Sequence, residues 1–331
     1  MMRSQSIITF VAFTFFVCLP LVLPAQSLTI YSGRSKALVE PLIQRFEDET
    51  GITVRVRYGG TTQLAMALLE EGDRSPADLF WAQDAGALGA VNAENLFEDL
   101  PQSTLETLPP QYRGQDGKWI ATSGRARVLA YSTSRVDKAQ LPKSVFDLDA
   151  PQWEDRIGWA PGNGSFQSFL TAMRKINGDA QTLEWLQEIK NSGVENYSNN
   201  TSIVQAIAAG EIDMGLVNHY YLYRFLENDP DFPVDQIFFE AGDVGNLVNV
   251  SGIGLLNSAA NKDTAIQFID FLLSTPSQEY FTEEVYEYPV IPDLRGSLRH
   301  ENPAGLSPDV DLEELGDLDG TLDMLREAGL L

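Results

Sequence analysis

The segment Asn218-His219-Tyr220-Tyr221-Leu222-Tyr223-Arg224 sets two phenols side by side where an apolar run, Met214 to Val217, gives way to a helical pattern. A phenolate oxygen is a hard, anionic donor, and a pair of them suits a hard, highly charged cation. Ferric iron is the plainest candidate: phenolates offset its charge without thiols, and a nearby anion can complete an octahedral shell. The place is apt, because in open α/β sheets ligands gather beyond the carboxyl ends of strands, and a helix N-terminus favours an anion or phenolate. A Tyr-Tyr pair alone fits ordinary packing equally, since tyrosine is commonly a core or rim residue with one wet end. The rest of the chain has to decide.

Residues 1–27 carry one charge, Arg3, then an apolar run from Ile7 to Leu23 and Pro24-Ala25-Gln26-Ser27. This reads as a secretory signal peptide with small residues at Ala25 and Ser27, and cleavage is expected after Ser27. The apolar run is short for a membrane span and lacks a basic stop-transfer flank. Cys18 is the one cysteine, and Val17 before it does not suit lipid attachment. The exported chain would then have no thiol, which removes thiol catalysis, Cys-zinc sites and iron–sulfur clusters and implies a periplasmic product held by a large core.

With 23 basic against 47 acidic residues the net charge is −24, a surface that repels nucleic acid and anionic lipid. It attracts cations without selecting among them, and equally suits solubility in a saline habitat. Part of the excess is local: residues 301–331 hold nine acidic side chains against one basic, Arg326, and read as a solvated helical or partly disordered tail.

The elements that must position the tyrosines alternate in type. A short strand, Leu28 to Tyr31, leads to a helix with Leu38, Leu42 and Phe46 on one face, ended by Gly51; Ile52 to Tyr58 alternates as a half-buried strand. A helix from Thr62 to Glu71, the strand Ala77 to Trp81 and a helix from Ala85 follow, and Val128 to Ser132 is a strand leaving this part of the chain. Arg156 to Ala160 is another strand, after which Pro161-Gly162-Asn163-Gly164-Ser165-Phe166 turns into a helix. That turn could present N–H groups to an anion, or simply be a turn. Further helices are expected at Ala180 to Ser192, after the Ser198 to Ser202 turn, at Thr264 to Leu273 and at Pro276 to Glu283, with Gly245 to Leu256 as a long return strand. The succession is α/β, without internal repeats.

The ordered set Ile30-Tyr31-Ser32-Gly33-Arg34, Ser75-Pro76-Ala77-Asp78-Leu79-Phe80, Ser123-Gly124-Arg125-Ala126-Arg127-Val128, Gly158-Trp159-Ala160-Pro161, Asn218-His219-Tyr220-Tyr221 and Tyr288-Pro289-Val290 resembles the ferric-ion-binding periplasmic proteins. These are the solute-binding components of iron(III) ATP-binding-cassette importers, and the resemblance runs over nearly all of residues 28–292. It implies a type II-like, two-lobed periplasmic-binding-protein fold, with central mixed sheets flanked by helices and hinge strands between the lobes. Lobe 1 would comprise 28–127 and 248–300, lobe 2 would comprise 128–247, and 301–331 would be the acidic tail. By the family pattern Tyr220 and Tyr221 are the iron ligands, while Asn218, Asn200 and the Asn163-Gly164-Ser165 turn match positions that hold a synergistic anion, carbonate or phosphate. Arg125 and Arg34 are candidates for balancing that anion, with a salt bridge or surface role as the alternative for each.

Two positions depart from the pattern. Many members have a histidine where this chain has Ser35, and some have a glutamate where it has Gln83. Ser35 could hold water or an anion, and Gln83 could offer a carbonyl, so coordination by two tyrosinates with exogenous oxygen donors is expected. His219 is either a ligand or a packed, hydrogen-bonded neighbour; Tyr31, Tyr223 and Trp81 read as cleft or core aromatics. The resemblance further implies a monomer that delivers Fe3+ to a membrane permease driven by a separate ATPase subunit. Thiamine, a phosphonate, a polyamine or an oxyanion is the alternative cargo. An enzyme is not expected: the chain has two histidines and no G-x-S-x-G elbow.

Overall fold

The computed structural model describes residues 27–294, 303 and 305–331. The expected signal peptide, apart from Ser27, lies outside the described residues.

Strands β1 (Ser27–Ser32), β2 (Thr53–Tyr58) and β3 (Leu79–Ala82) run parallel to one another, with β1 in the middle. They alternate with helices α1 (Lys36–Thr50) and α2 (Thr61–Glu71), followed by α3 (Ala85–Ala93) and a single turn, α4 (Gln102–Leu105). The chain then enters β4 (Trp119–Ser132), a strand buried along its whole length. Beyond it lie β5 (Ile157–Trp159), α5 (Gly164–Asn177), α6 (Asp179–Asn191), β6 (Glu195–Asn196), α7 (Asn200–Ala209), β7 (Met214–Asn218), α8 (Tyr220–Asn228) and β8 (Val234–Ile237). The return strand β9 (Val248–Leu255) leads to α9 (Lys262–Leu273) and α10 (Thr275–Glu283), and the chain ends in α11 (Leu318–Glu327).

The strands join in the order β2-β1-β3-β9-β4-β7-β5-β6, with β8 also on β4. β4 organises the molecule. Its first part, Trp119 to Ala126, pairs antiparallel with β9, whereas Arg127 to Tyr131 pairs antiparallel with β7. One strand therefore belongs to two sheets, and the handover falls at the peptide between Ala126 and Arg127. Each sheet has its own core. Phe46 meets Phe268 edge-on at 5.0 Å beneath β1, β3 and β9. On the other sheet Trp159, Phe166, Phe169 and Trp185 form a T-shaped aromatic cluster, and a smaller group around Ile203, Val204 and Ile207 lines its opposite face.

Most expected helices are present, and their ends have local causes. Gly51 closes α1 in a left-handed conformation (φ 71°), while Asp84, Asn163 and Asn199 cap α3, α5 and α7 through side-chain oxygens. The C-terminal segment differs from its expectation as a solvated tail. A 3-10 turn over Leu312–Gly316 carries Leu315 into the second core, where Met324, Leu325 and Ala328 of the α11 segment join it. Thr321 and Thr171 of α5 share a hydrogen bond at 2.7 Å, and Arg174 of α5 reaches Asp317 at 3.1 Å. Asp309, Asp311, Glu314, Asp319, Asp323 and Glu327 are exposed, and the apolar residues of α11 at helical spacing turn inward.

This segment also crosses to the first sheet's helices. A Cβ on Gly86 of α3 would stand 2.3 Å from the Leu315 carbonyl oxygen, so only glycine admits that backbone. Alanine is the better helix former by about 1 kcal/mol, but the obstacle is backbone and must shift. Gly86→Ala is expected to lower stability by about 1–3 kcal/mol in chemical denaturation, against the sign that helix propensity alone would give.

Candidate metal centre

α8 starts directly at the end of β7, so its first residues stand at the junction between the sheets. Tyr220 is fully buried and Tyr221 half-buried, and their rings stack with centroids 4.4 Å apart and planes 29° from parallel. Arg224, one turn along, lies over both rings at 5.3 and 5.7 Å. Burial pushes the Tyr221 phenol well above its usual range, and the adjoining Tyr220 phenol adds to this against the pull of Arg224 and Arg125. Among the described residues no three His, Cys, Asp or Glu side chains gather in a metal-binding cluster, so the phenols are the concentrated oxygen donors.

From the β3 side, Gln83 reaches over the cleft and its Nε2 donates to the Tyr220 hydroxyl at 3.3 Å. Arg34 Nη1 donates to Gln83 Oε1 at 2.9 Å, and the same guanidinium grips Glu287 with two bonds of 2.9 and 2.8 Å. Ser123 donates to Glu287 at 2.5 Å. Burial alone would raise the Glu287 carboxyl, but Arg34, with help from Arg125 and Ser123, holds it below the ordinary carboxylate range. Arg34 is thus committed to a carboxylate, and its charge is not available to balance an anion, unlike the sequence expectation. The outcome is the salt bridge posed as its alternative.

Arg125 and Arg127 sit two apart on β4, so the strand's two-residue period directs both to one face. Both are buried; among the described residues no hydrogen-bond partner satisfies any guanidinium nitrogen of Arg125, or Nε and Nη2 of Arg127. Burial lowers both, Arg127 to about 9, which leaves it charged at neutral pH, while the nearby phenols favour the charged form. Arg127 Nη1 lies 3.3 Å from the side-chain oxygens of Asn200 and Asn218, and Asn218 Nδ2 donates to Ser165 Oγ at 3.1 Å. Asn200 Oδ1 also accepts the Asn218 N–H at 3.0 Å, and Asn163 Oδ1 accepts the Ser165 N–H at 3.0 Å as the α5 cap. Asn200, Asn218 and Ser165 are thereby brought together, their polar atoms engaged with Arg127 and with one another, while Asn163 caps α5, where Gly164 is the opening residue. Ser35 is exposed at the head of α1, with no side-chain capping bond.

Asp84 is a second contact over the cleft. Burial raises its carboxyl, offset by Arg125 and by bonds from the Ala87 N–H and the Ser168 hydroxyl of α5. His219 uses both ring nitrogens on backbone: Nδ1 accepts the Ala126 N–H at 3.1 Å, which makes Nε2 the protonated nitrogen, donating to the Tyr286 carbonyl at 2.7 Å. The ring stacks on Tyr288 at 4.4 Å, so the packed, hydrogen-bonded role is the one seen. Trp81 lies in the first core, bonded through its indole N–H to Thr122 at 3.1 Å, and Tyr31 bonds Glu71, away from the phenol pair. Sequence reasoning did not select Glu287, Arg127, Asp84 or Arg224. The Arg-Ala-Arg alternation on a strand was the signal for Arg127; a single acid in so acidic a chain carried none for Glu287.

Two sheets sharing a strand, with a polar cleft at the junction, define a solute-binding protein of the two-lobed kind. Residues 41–304 match the model of the bacterial extracellular solute-binding protein family, and the chain belongs to it. These are transport proteins, not enzymes. It is 35% identical over 312 residues to the major ferric iron-binding protein of Neisseria meningitidis serogroup B, covering 92% of this chain and 93% of that one. Iron uptake protein A2 of Synechocystis is 37% identical over 292 residues, 83% of this chain and 82% of its own. Among solved structures, iron-bound HitA from Pseudomonas aeruginosa superposes with a TM-score of 0.88 at 34% identity, over 92% of this chain and 100% of HitA.

Removing one partner of a buried pair strands the other charge, at a cost of about 3–5 kcal/mol. Glu287→Gln is expected to lose about that much in urea denaturation at pH 7. Because the folded carboxyl titrates below the unfolded one, near about pH 4.3, its contribution is complete above that pH and fades as pH falls through the folded value. The difference between parent and Glu287→Gln should therefore shrink on acidification below about pH 4.3.

Proposed function

We propose that this protein captures ferric iron in the periplasm, together with a synergistic anion, and delivers it to the permease of an ATP-binding-cassette importer. The carrying observation is the stacked Tyr220–Tyr221 pair opening toward Arg125 and Arg127, two buried cations short of partners. Tyr220 and Tyr221 bind the ion as phenolates. Carbonate or phosphate takes remaining positions and answers the charge of Arg125 and Arg127, with Asn163, Gly164, Ser165, Asn200 and Asn218 shaping that side. Residues 28–127 with 248–300 act as one lobe and 128–247 as the other, hinged where β4 changes partners, and the chain works as a monomer exported by a cleaved signal. The relatives named above, a ferric iron-binding protein, an iron uptake protein and iron-bound HitA, support this reading over another small cargo.

Capture reads as a proton exchange. Each phenol that ligates the ion releases its proton, and the upward shift of Tyr221 makes that release more demanding. Two phenols that each give up one proton on ligation make apparent affinity fall up to about 100-fold per pH unit of acidification.

The test is an absorbance titration of metal-stripped residues 28–331 with ferric citrate at pH 7.5. A saturable visible charge-transfer band at one iron per chain, abolished or strongly weakened in Tyr220→Phe and in Tyr221→Phe, is expected. A band indifferent to both substitutions, or no band, would refute the iron assignment. Repeating the titration at pH 6.5 should give weaker binding.

A further inference from the structure

Gln83 stands where a carboxylate or carbonyl oxygen could approach the metal, yet its surroundings set it the other way round. An arginine has only donors, so the Gln83 atom 2.9 Å from Arg34 Nη1 has to be the carbonyl oxygen. That fixes the amide: the NH2 group is the end that faces Tyr220, 3.3 Å from the phenol oxygen. Arg34 cannot swing away to release it, because it is fully buried and doubly bonded to Glu287, itself held by Ser123.

We propose that Gln83 is a positioning residue that donates a hydrogen bond to the Tyr220 phenolate from the opposite side of the cleft, and is not a metal ligand. The inference rests on the iron-binding reading above. Its chemistry follows from the direction of the bond. A neutral phenol can present a lone pair to the amide, and an ionised one accepts the bond more strongly. Closure onto a loaded site is thereby favoured over closure onto an empty one, although neither Gln83 nor its Arg34–Glu287 support touches the metal. The two protein oxygens assigned to the ion on that reading, those of Tyr220 and Tyr221, both come from α8. Opening the cleft breaks the Gln83 bond but no protein–metal bond, so the ion stays with one side until it is handed over.

Donation to a phenolate also withdraws electron density from its oxygen, in the manner of outer-shell partners at other metal sites. Losing it should move the phenolate-to-iron band to longer wavelength. A hydrogen bond to a charged group corresponds to about a tenfold to hundredfold change in an equilibrium, and iron transfer to a competing chelator should quicken within that range.

Resonance Raman excited in the visible band discriminates donor from ligand. The parent, Gln83→Leu and Gln83→Ala are loaded with ferric citrate and compared in H2O and D2O, with melting temperatures confirming that each variant is folded. A tyrosinate mode that shifts in D2O in the parent, and loses that shift in both variants while the band reddens and chelator transfer quickens, is the expected result. An isotope response identical in parent and variants, with the band unmoved, would overturn the proposal and leave the tyrosinate site intact. Absence of any visible band in the parent would overturn both this proposal and the iron assignment.

Discussion

Uncompensated positive charge in the cleft is the constraint on which the rest of the structure turns. Arg34 is answered by Glu287, but Arg125 and Arg127 are buried with most of their guanidinium donors unused. Taking an ion out of water costs several kcal/mol even after relaxation, and a folded chain accepts that only where something else benefits. Glu287, itself bonded to Arg34, and Asp84 are the carboxylates that offset Arg125, and burial works against the ionisation of Asp84. On the proposed reading, negative charge from outside the chain or from its own phenols completes the cleft. In the proposed loaded state a trivalent ion with two phenolates still carries one net positive charge beside two arginines, so an anion is an electrostatic requirement there.

The same strand supplies both the charge and the hinge. Arg125 lies in the part of β4 paired with β9, Arg127 in the part paired with β7, and Ala126 between them is bonded twice to His219. One bond joins the Ala126 N–H to the imidazole; the other joins the His219 N–H to the Ala126 carbonyl at 3.0 Å. The start of the tyrosine helix is therefore riveted to the peptide where the sheets diverge. A rotation between sheets that pivots there carries Arg125 with one sheet and Arg127 with the other, while the phenols keep their relation to Arg127. That geometry couples the separation of the two guanidinium groups to opening, without any long-range relay.

The alternating order of strands and helices was legible because amphipathic patterning survives in short segments: Leu38, Leu42 and Phe46 are all buried in α1, and the α8 tyrosines follow an apolar strand as read. β4 was legible only from Val128 on. Its earlier half, Thr122-Ser123-Gly124-Arg125-Ala126-Arg127, is buried but polar, since it lines a cleft instead of a core, and periodicity arguments search for apolar residues. The C-terminal segment was obscured by the reverse effect. Its acids dominate the composition, while Leu315, Met324, Leu325 and Ala328 do the packing. Glu287 depended on a partner 253 residues away in sequence, a relation no local pattern carries.

Phenols, and not carboxylates, at the centre of the cleft have a selective consequence. Of the carboxylates buried near the phenols, Glu287 is saturated by Arg34 and Ser123, and Asp84 is bonded by the Ala87 N–H and offset by Arg125, so both are engaged within the protein. What remains for a cation is an oxygen that begins protonated, with Tyr221 displaced upward by burial. Calcium and magnesium, abundant hard cations that retain water readily and favour carboxylate and carbonyl oxygen, gain too little to expel such protons at neutral pH. A small trivalent ion gains far more, because its attraction for each phenolate scales with its charge in a site shielded from water. The acidic exterior draws cations of every kind. On the proposed reading, discrimination falls to the protons on two tyrosines, and because those protons return as the ion leaves, the same feature that excludes weak Lewis acids keeps capture reversible.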